Sequence, residues 1–443
     1  MPHLLTLIDG RLADGRAVDL DLADGRIVDV VPARADGPDR PATPFDVWCA
    51  FGAGDERRVD LGGRLVLPPL VNGHAHLDKT FVGAAWQPHR PGSAVADRVT
   101  HERRLRAELD VPVGERAAAL ADRLVEHGTG IVRTHVDIDP DVRLGQLDEV
   151  LALRDRLAGT LAMQVVAFPQ SGILASPGVA DLLDAAIRAG ADVVGGLDPA
   201  GFDGDAAGHL DVVFGLAERH GVPVDIHLHE LGAAGEQQLA LVAERTRALG
   251  LHGRVVVSHA YGLGSLDPGA TRRTGTLLAE AGVAIMTNGP AGPMPPVLLL
   301  RELGVTVFSG TDNVRDAWWP YGDGDMLTVA RTVAYQSGFR SDDELAVALD
   351  LVTDAAARAL GVDGYGLVPG APADLVVVDA TCAAEAVAAH APRVVVRAGR
   401  PPVPARAALP TSVRSRTDPS APTPAAPTPH PDDNAVGLAH ARN

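Results

Sequence analysis

The chain has 443 residues, a mass of 45.9 kDa and a formal net charge of −18. Such an acidic surface repels phosphate backbones and anionic lipids, so the composition disfavours nucleic-acid and membrane partners. Its two cysteines, Cys49 and Cys382, are too few for a disulfide framework or a cysteine zinc cluster. No apolar run approaches the roughly 18 residues of a membrane-spanning helix, and the N-terminus lacks the pattern of a signal peptide. We therefore expect a soluble cytoplasmic protein.

The N-terminal part of the chain is predicted to form short β-strands. Apolar residues over 4–8, 16–22 and 26–31 alternate with Asp-Gly pairs, which are strong hairpin signals. Residues 33–56 are rich in Pro, Gly and Asp, as is typical of a loop. We assign residues 1–66 to the N-terminal part of a small β domain.

Residues 67–366 alternate between apolar β runs and helix-length segments. The eight runs are 67–76, 131–137, 161–169, 192–197, 223–229, 254–259, 283–287 and 305–309. This repetition predicts an α/β fold, a (β/α)8 TIM barrel, with its active site at the C-terminal ends of the strands. An open doubly wound sheet is the alternative, but it would place a glycine-rich phosphate turn after the first strand, and that turn is missing.

The C-terminal part of the chain is predicted to return to the β domain and then to lose regular structure. Residues 374–379 and 393–397 read as strands that could pair with the N-terminal ones, so we assign 367–405 to the same small domain. Residues 406–443 are dominated by Pro, Ala, Ser and Thr, which predicts a disordered tail.

Histidine and carboxylate residues follow four of the eight predicted strands. They are His74 and His76 after run one, His227, His229 and Glu230 after run five, His259 after run six, and Asp312 and Asn313 after run eight. Imidazole and carboxylate groups form the ligand set of a catalytic divalent metal with an open water position. One His-x-His pair is weak evidence, whereas four strand ends together are much stronger. Spacing alone does not choose between His227 and His229, because strand positions two apart face the same way.

Several segments resemble the amidohydrolase superfamily and, in particular, its cytosine deaminase branch. Residues 67–78 are similar to the first-strand motif of the superfamily, and 132–137, 165–173, 191–195 and 316–320 resemble cytosine deaminases. The resemblance spans roughly residues 60 to 400, with the segments in family order. It implies a metal-bearing barrel with a small β-sandwich built from both chain ends, one divalent ion (Zn²⁺ or Fe²⁺) per chain, and a homo-oligomer.

The resemblance also implies roles for single residues. The implied metal ligands are His74, His76, His227 and Asp312; His227 is preferred over His229 because the family places its catalytic glutamate, here Glu230, three residues after this ligand. His259 matches the histidine that contacts the metal-bound water. The residues that match substrate-pocket positions are Gln170, Phe168 and Trp318.

These implied roles predict hydrolytic deamination at the amino-bearing carbon of a cyclic amidine or nucleobase-like heterocycle. A divalent ion lowers the pKa of bound water to about 7, and His259 and Asp312 would hold the resulting hydroxide for attack. Glu230 would protonate a ring nitrogen and then pass a proton to the departing amine. A carboxyl group that does both needs a pKa near the working pH.

Lys79 is the only lysine among 39 cationic residues. Two-metal members of the superfamily use a carboxylated lysine at the end of strand four, and run four has none. A compact ammonium kept at the barrel mouth predicts a contact with a carbonyl or anionic group of the substrate. The alternative is a solvated loop lysine.

Two departures from the cytosine deaminases leave the substrate open. Lys79 stands where they have threonine, and Asn313 stands where they have aspartate, near the pyrimidine. The segment His-Leu-Asp-Lys at 76–79 also resembles the triazine branch. The alternative functions are therefore an N-substituted triazine (isopropylammelide-type) amidohydrolase, a cyclic amide hydrolase and, outside enzymes, a catalytically inert barrel.

Overall fold

Two β-sheets organise the computed structural model, which describes residues 5–33, 58–89, 95–289 and 291–400. In chain order the strands are β1 (Leu5–Arg11), β2 (Ala17–Ala23), β3 (Arg26–Pro32), β4 (Arg58–Asp60), β5 (Leu65–Leu67), β6 (Leu70–Ala75), β7 (Thr129–Asp137), β8 (Ala162–Phe168), β9 (Val193–Leu197), β10 (Val224–His227), β11 (Val255–Ser258), β12 (Val283–Met286), β13 (Val307–Phe308), β14 (Leu375–Val378) and β15 (Arg393–Val396). Strands β6 to β13 form one sheet, and the other seven form the second.

The smaller sheet joins the two ends of the described chain. Its order is β15-β14-β5-β1-β2-β3, with β4 beside β1. C-terminal β14 pairs antiparallel with β5, and Val376 lies opposite Leu67. This agrees with the prediction that both chain ends build one β unit. The domain boundaries themselves stay predictions, and the predicted loop (from residue 34 to 56) and tail (406–443) lie outside the described residues.

The larger sheet is the predicted barrel of eight parallel strands. It closes between β6 and the segment after β13, where the amide of Asp312 donates to the carbonyl of His74 at 2.8 Å and the amide of Gly73 donates to Ser309 at 3.1 Å. A side chain at Gly73 would place its Cβ 2.4 Å from the ring of Phe308, so this close approach requires glycine.

The first predicted run, 67–76, divides into two strands. Leu67 ends β5 in the smaller sheet, and Leu70 begins β6 in the barrel. Pro68 and Pro69 lie between them. Proline has no amide hydrogen for a sheet ladder, so this pair ends one strand before the next begins.

Helices surround the barrel. They are α1 (Val95–Glu108), α2 (Val113–Glu126), α3 (Gly145–Arg156), α4 (Val179–Ala189), α5 (Ala206–His220), α6 (Gly232–Ala248), α7 (Tyr261–Ser265), α8 (Pro268–Ala281), α9 (Val297–Glu302), α10 (Met326–Ser337), α11 (Asp342–Asp350), α12 (Asp354–Ala359) and α13 (Ala383–Ala388). Within the described ranges, no helix combines the length and the apolar character needed to cross a membrane.

The alternation of side chains along the strands separates the packing core from the barrel interior. On β7, Val132 and Val136 join a buried apolar cluster that includes Leu120 of α2. Arg133 and His135 lie at the alternate positions and are buried inside the barrel. One face of each strand therefore packs the helices, and the other carries polar groups towards the site.

Candidate active site

A cavity of about 260 Å³ opens at the C-terminal ends of the barrel strands. Its lining residues are His76, Lys79, Arg98, Phe168, Gln170, Leu197, His227, His229, His259, Tyr261, Asn288, Ala291, Asp312, Asn313, Trp318 and Trp319. This volume lies just below the range of about 300–1,000 Å³ typical of ligand pockets, so it suits a small ring with a short substituent. All five predicted substrate-binding residues line it.

Three histidines and one aspartate converge beside this cavity. His74, His76, His227 and Asp312 each offer one ligand atom, and these four atoms lie within 4.8 Å of one another. The Nε2 atoms of His74 and His76 are 3.4 and 3.3 Å from Oδ1 of Asp312. The Nε2 atoms of His76 and His227 are 3.4 Å apart. The fold thus brings together the four residues predicted as ligands from three strand ends.

The spacing and charge state of this cluster fit one metal ion. Ligand atoms about 2.0–2.1 Å from a tetrahedral zinc lie about 3.4 Å from each other. Burial holds the pKa values of His76 and His227 well below their usual range, so both imidazoles are neutral and keep a lone pair. Burial opposes ionisation of Asp312, but hydrogen bonding to His74 and His76 keeps its pKa well below the usual range. Neutral imidazoles and an ionised carboxylate are the forms that bind divalent metals.

A buried polar network orients His74. Its Nδ1 lies 3.0 Å from Oγ of Ser258, which donates to Oδ1 of Asp225 at 2.7 Å. The guanidinium of Arg133 donates to the other oxygen of Asp225 at 3.0 Å. Since Nδ1 is engaged, Nε2 of His74 is the nitrogen left for the cluster, and no described residue outside the cluster forms a hydrogen bond with it. Such partners fix the tautomer and ring orientation of a metal-binding histidine.

Three site residues adopt left-handed backbone conformations at strand ends. Asp198 after β9, His259 after β11 and Asp312 after β13 have φ angles of 36°, 72° and 55°. Residues other than glycine rarely adopt such angles, and each costs of order 1–3 kcal/mol. The surrounding barrel therefore imposes these conformations, as is common where a fold aims side chains into a site.

Glu230 lies at the edge of the site, beside a second carboxylate. Its Oε1 accepts the amide hydrogen of Gly201 at 2.8 Å, and its buried Oε2 accepts no hydrogen bond from a described residue. Burial and the neighbouring charge of Asp198 raise the pKa of Glu230 to about 7. Asp198 in turn accepts from the backbone amide of His229 at 2.6 Å and lies 2.8 Å from its Nδ1. Glu230 can therefore hold a proton near neutral pH, although it is not one of the cavity-lining residues.

Lys79 is buried in the cavity wall, where its ammonium group has three polar neighbours. Nζ donates to Oε1 of Gln170 at 2.7 Å and lies 3.0 Å from Asp137 and 3.5 Å from Glu102. These carboxylates outweigh burial and raise its pKa above the ordinary lysine value. Lys79 is 5% exposed, so the solvated-loop alternative is wrong. Its positive charge therefore lies in the wall of the cavity.

Two amide side chains in the cavity have fixed orientations. Nδ2 of Asn313 donates to Oδ2 of Asp316 at 2.6 Å, which leaves the carbonyl oxygen of Asn313 for a ligand. Oε1 of Gln170 accepts from Lys79, which leaves its Nε2 hydrogens for a ligand. The cavity therefore offers an acceptor at Asn313 and donors at Gln170 and Lys79.

The remaining predicted residues also lie in the cavity. The ring of Phe168 is 4.2 Å from that of His227, centroid to centroid, and the Trp318 indole donates to Glu102 at 2.8 Å. Burial lowers the pKa of His259 to about 3, and neither of its ring nitrogens has a hydrogen-bond partner in the described part of the chain. His229 stacks on His259, with ring centroids 4.6 Å apart.

Sequence reasoning missed several residues of the site. They are Arg98, Glu102, Asp198, Tyr261, Asn288 and the supporting Arg133, Asp225 and Ser258. Asp225 carried a usable signal, because a charged residue two positions before His227 shares its face of an apolar strand. His135 is fully buried on β7, and neither of its ring nitrogens makes a hydrogen bond with a described residue. Its Nε2 lies 3.6 Å from Asp225.

Three known proteins of similar sequence or structure carry names that describe their reactions. N-isopropylammelide isopropyl amidohydrolase of Pseudomonas sp. (strain ADP) is 31% identical over 77% of this chain and 87% of its own. The crystal structure of N-isopropylammelide isopropylaminohydrolase from Burkholderia multivorans ATCC 17616 is 43% identical, with a TM-score of 0.81, over 90% of this chain and 97% of its own. That of 5-methylcytosine deaminase from Klebsiella pneumoniae is 29% identical, with a TM-score of 0.78 and the same coverages.

The match to a family profile covers most of the barrel and its flanks. Residues 57–403 match the profile of the amidohydrolase family. Because this region is well over half of the 443-residue chain and includes every residue of the His/Asp cluster, the match and the site geometry agree. The chain belongs to the amidohydrolase family.

Proposed function

We propose that this protein is a metal-dependent hydrolase that removes an amine from an amino-substituted, carbonyl-bearing nitrogen heterocycle. The observation that carries the proposal is the placement of Lys79 and Gln170 in the same small cavity as the His/Asp cluster. The cluster supports metal-dependent hydrolysis. The cation and the amide donor support a substrate with a carbonyl or anionic edge.

The chain's own residues divide the work of this reaction. His74, His76, His227 and Asp312 would hold one divalent ion (Zn²⁺ or Fe²⁺), which supplies an acidified water as the nucleophile. His259 accepts a hydrogen bond from the attacking water, since its ring is neutral and lines the cavity. Glu230 donates its proton to a ring nitrogen of the substrate. As the oxygen of the attacking water bonds to the ring carbon and the bond to the amine breaks, the Glu230 carboxylate takes up the two protons of that water in turn, passes one to the departing amine and keeps the other.

The fixed amides define the edge of the substrate that the cavity accepts. A ring carbonyl or deprotonated ring nitrogen faces Lys79 and the Nε2 hydrogens of Gln170. A ring N–H or amino group faces the carbonyl oxygen of Asn313. The face of the ring packs on Phe168 and Trp318. Hydroxylated aminotriazines and aminopyrimidines present such alternating acceptors and donors.

The names of the relatives favour a carbonyl-bearing triazine over cytosine as the substrate class. Two relatives, 43% and 31% identical, are named for removing isopropylamine from N-isopropylammelide, whereas the 5-methylcytosine deaminase is 29% identical. Lys79 and Asn313 also stand where cytosine deaminases are expected to have threonine and aspartate. Deamination of a pyrimidine is the second candidate, supported by the shared fold.

An amine-release screen tests the proposal. The panel comprises N-alkyl and unsubstituted ammelide-type triazines, cytosine, isocytosine, creatinine and pterins, with Glu230→Gln as the blank. We expect ammonia or alkylamine from at least one carbonyl-bearing triazine or pyrimidine. No release from any compound by protein that contains metal, or equal release by the blank, would contradict the proposal.

The pH dependence of the reaction is expected to report Glu230. Because the reaction uses its protonated form, kcat/KM should fall about tenfold per pH unit above an apparent pKa near 7. The negative charge of Asp198 raises that pKa, so Asp198→Asn should move the alkaline limb to lower pH. A pH–rate profile of both proteins checks this, and a limb that stays in place or moves to higher pH would contradict the assignment.

Lys79→Arg is expected to lower kcat/KM by about 10²-fold with metal content unchanged. The buried ammonium contacts Gln170 and Asp137 as a compact point charge, and the proposed function has it bind an anionic edge of the substrate. The larger planar guanidinium of arginine would distribute this charge differently and disturb these contacts. Arg104→Lys, the reverse exchange at an exposed position of α1, is the control and should leave the kinetics unchanged. Wild-type kinetics for Lys79→Arg would remove Lys79 from the substrate site.

A further inference from the structure

One carboxylate outside the cavity connects two of the side chains that line it. Glu102 on α1 is 5% exposed. Its Oε2 accepts the indole hydrogen of Trp318 at 2.8 Å, and its Oε1 lies 3.5 Å from Nζ of Lys79. Glu102 itself is absent from the described cavity lining. Its contact with a ligand would therefore be indirect, through Lys79 and Trp318.

Lys79 needs such a contact because its stem is flexible. A lysine ammonium is a point charge on four rotatable carbons, with no planar geometry to fix its direction. Here Nζ lies 5.5 Å from the ring centroid of Phe168 and 5.6 Å from that of Trp318. Gln170, Asp137 and Glu102 supply its polar contacts. Of these three, Glu102 is the one that also holds an aromatic wall of the pocket.

Helix α1, which carries Glu102, makes polar contacts with residues at the barrel mouth. Arg106 donates to Asp137 at 3.1 Å, and Arg103 donates to Ser171 at 2.7 Å. Arg98, four residues before Glu102 and hence on the same face of the helix, lines the cavity. The position of this helix and the position of the Lys79 ammonium are therefore set by one connected group of charges.

We propose that Glu102 is a positioning residue for substrate recognition, which holds Lys79 and Trp318 as one unit in the pocket wall. The inference rests on the proposed function in one respect, because that function assigns Lys79 and Trp318 to the substrate. Glu102 touches neither substrate nor reacting atoms. Its loss should weaken substrate binding and leave the chemical step largely intact.

The single lysine of the chain allows a test that needs no substrate. In full-length, metal-containing protein with ¹⁵N-labelled lysine, the side-chain spectrum contains one ammonium signal, that of Lys79. We expect Glu102→Gln to accelerate exchange of its protons with water at least about tenfold, since an anionic neighbour of the ammonium is lost. Glu108→Gln, at an exposed position of the same helix where it pairs with Arg104, is the matched control and should leave the rate unchanged.

A second variant keeps the test independent of any folding defect in the first. Trp318→Phe retains a ring but removes the indole hydrogen that Glu102 accepts. It should also accelerate exchange, and the double variant should be no faster than Glu102→Gln alone, because both changes break the same unit. Additive effects, or an exchange rate unchanged by Glu102→Gln, would overturn the proposal.

Steady-state kinetics test whether Glu102 affects substrate binding. With the substrate identified by the amine-release screen, Glu102→Gln should raise KM about tenfold and change kcat less than about threefold. A fall in kcat at constant KM would overturn the positioning role. If the screen yields no substrate, the proposed reaction fails, while the exchange measurement still decides whether Glu102 fixes Lys79.

Discussion

Replacing Glu230 by Gln is expected to lower kcat about 10³-fold while metal content and KM stay within about threefold of the wild-type values. The amide keeps the size of the side chain and can still accept the amide hydrogen of Gly201. It cannot supply the proton that burial and Asp198 retain on Glu230 near neutral pH. The substrate would still bind, but its ring nitrogen would stay unprotonated. The amine, without a proton donor, would be a poor leaving group. Steady-state kinetics with metal analysis measure this.

A neighbouring glutamate provides the control for this prediction. Glu236 begins the second turn of α6, where it accepts a hydrogen bond from Thr274 at 3.2 Å. Glu236→Gln makes the same chemical change a few residues away from Glu230 and should leave kcat unchanged. A Glu230→Gln protein with wild-type kcat would exclude this carboxyl as the proton donor. The next candidate for the proton donor would be Asp198, the neighbouring carboxylate whose charge raises the pKa of Glu230.

The sequence was sufficient to predict that histidine and aspartate side chains meet at one end of the barrel. His74, His76, His227 and Asp312 lie at the ends of apolar runs, and parallel strands in a barrel end at one face. The two-residue period of a strand leaves His227 and His229 on the same face, so the choice of His227 rested on the resemblance to the amidohydrolase superfamily, which places its catalytic glutamate three residues after this ligand. The same logic located Lys79 and Asn313 near the cavity.

The sequence did not predict the backbone conformations that orient the site residues, nor the contacts that α1 makes with the cavity wall. The left-handed backbone of Asp198, His259 and Asp312 follows from closure of the whole barrel, which no local pattern encodes. Glu102 lies on a helix whose composition reads as a solvated surface, and only the fold shows its carboxylate buried against Lys79. Long-range contacts of this kind depend on how α1 packs against the barrel.

His227→Asn is expected to weaken metal binding by more than about 100-fold, whereas His229→Asn should retain about one divalent ion per chain. His227 ends β10 and His229 lies two residues after it, and both face the cavity, but only Nε2 of His227 approaches the cluster, 3.4 Å from Nε2 of His76. His229 instead places its Nδ1 2.8 Å from Asp198. Since losing a residue that merely orients a ligand typically costs about 10- to 100-fold in affinity, losing a ligand should cost more. Metal analysis after dialysis against a chelator series measures both.

The same two variants also distinguish loss of the metal ion from loss of activity with the ion still bound. Burial lowers the pKa of His229, but the hydrogen bond and the charge of Asp198 outweigh burial and raise it. His229→Asn removes this imidazole, so Asp198 loses a hydrogen-bond partner beside Glu230, and kcat should fall about tenfold with the ion retained. Loss of the ion from His229→Asn but not from His227→Asn would exchange their roles. Retention of the ion by both variants would mean that His74, His76 and Asp312 suffice to bind it. The three-residue spacing between His227 and Glu230 would then no longer support a catalytic role for Glu230.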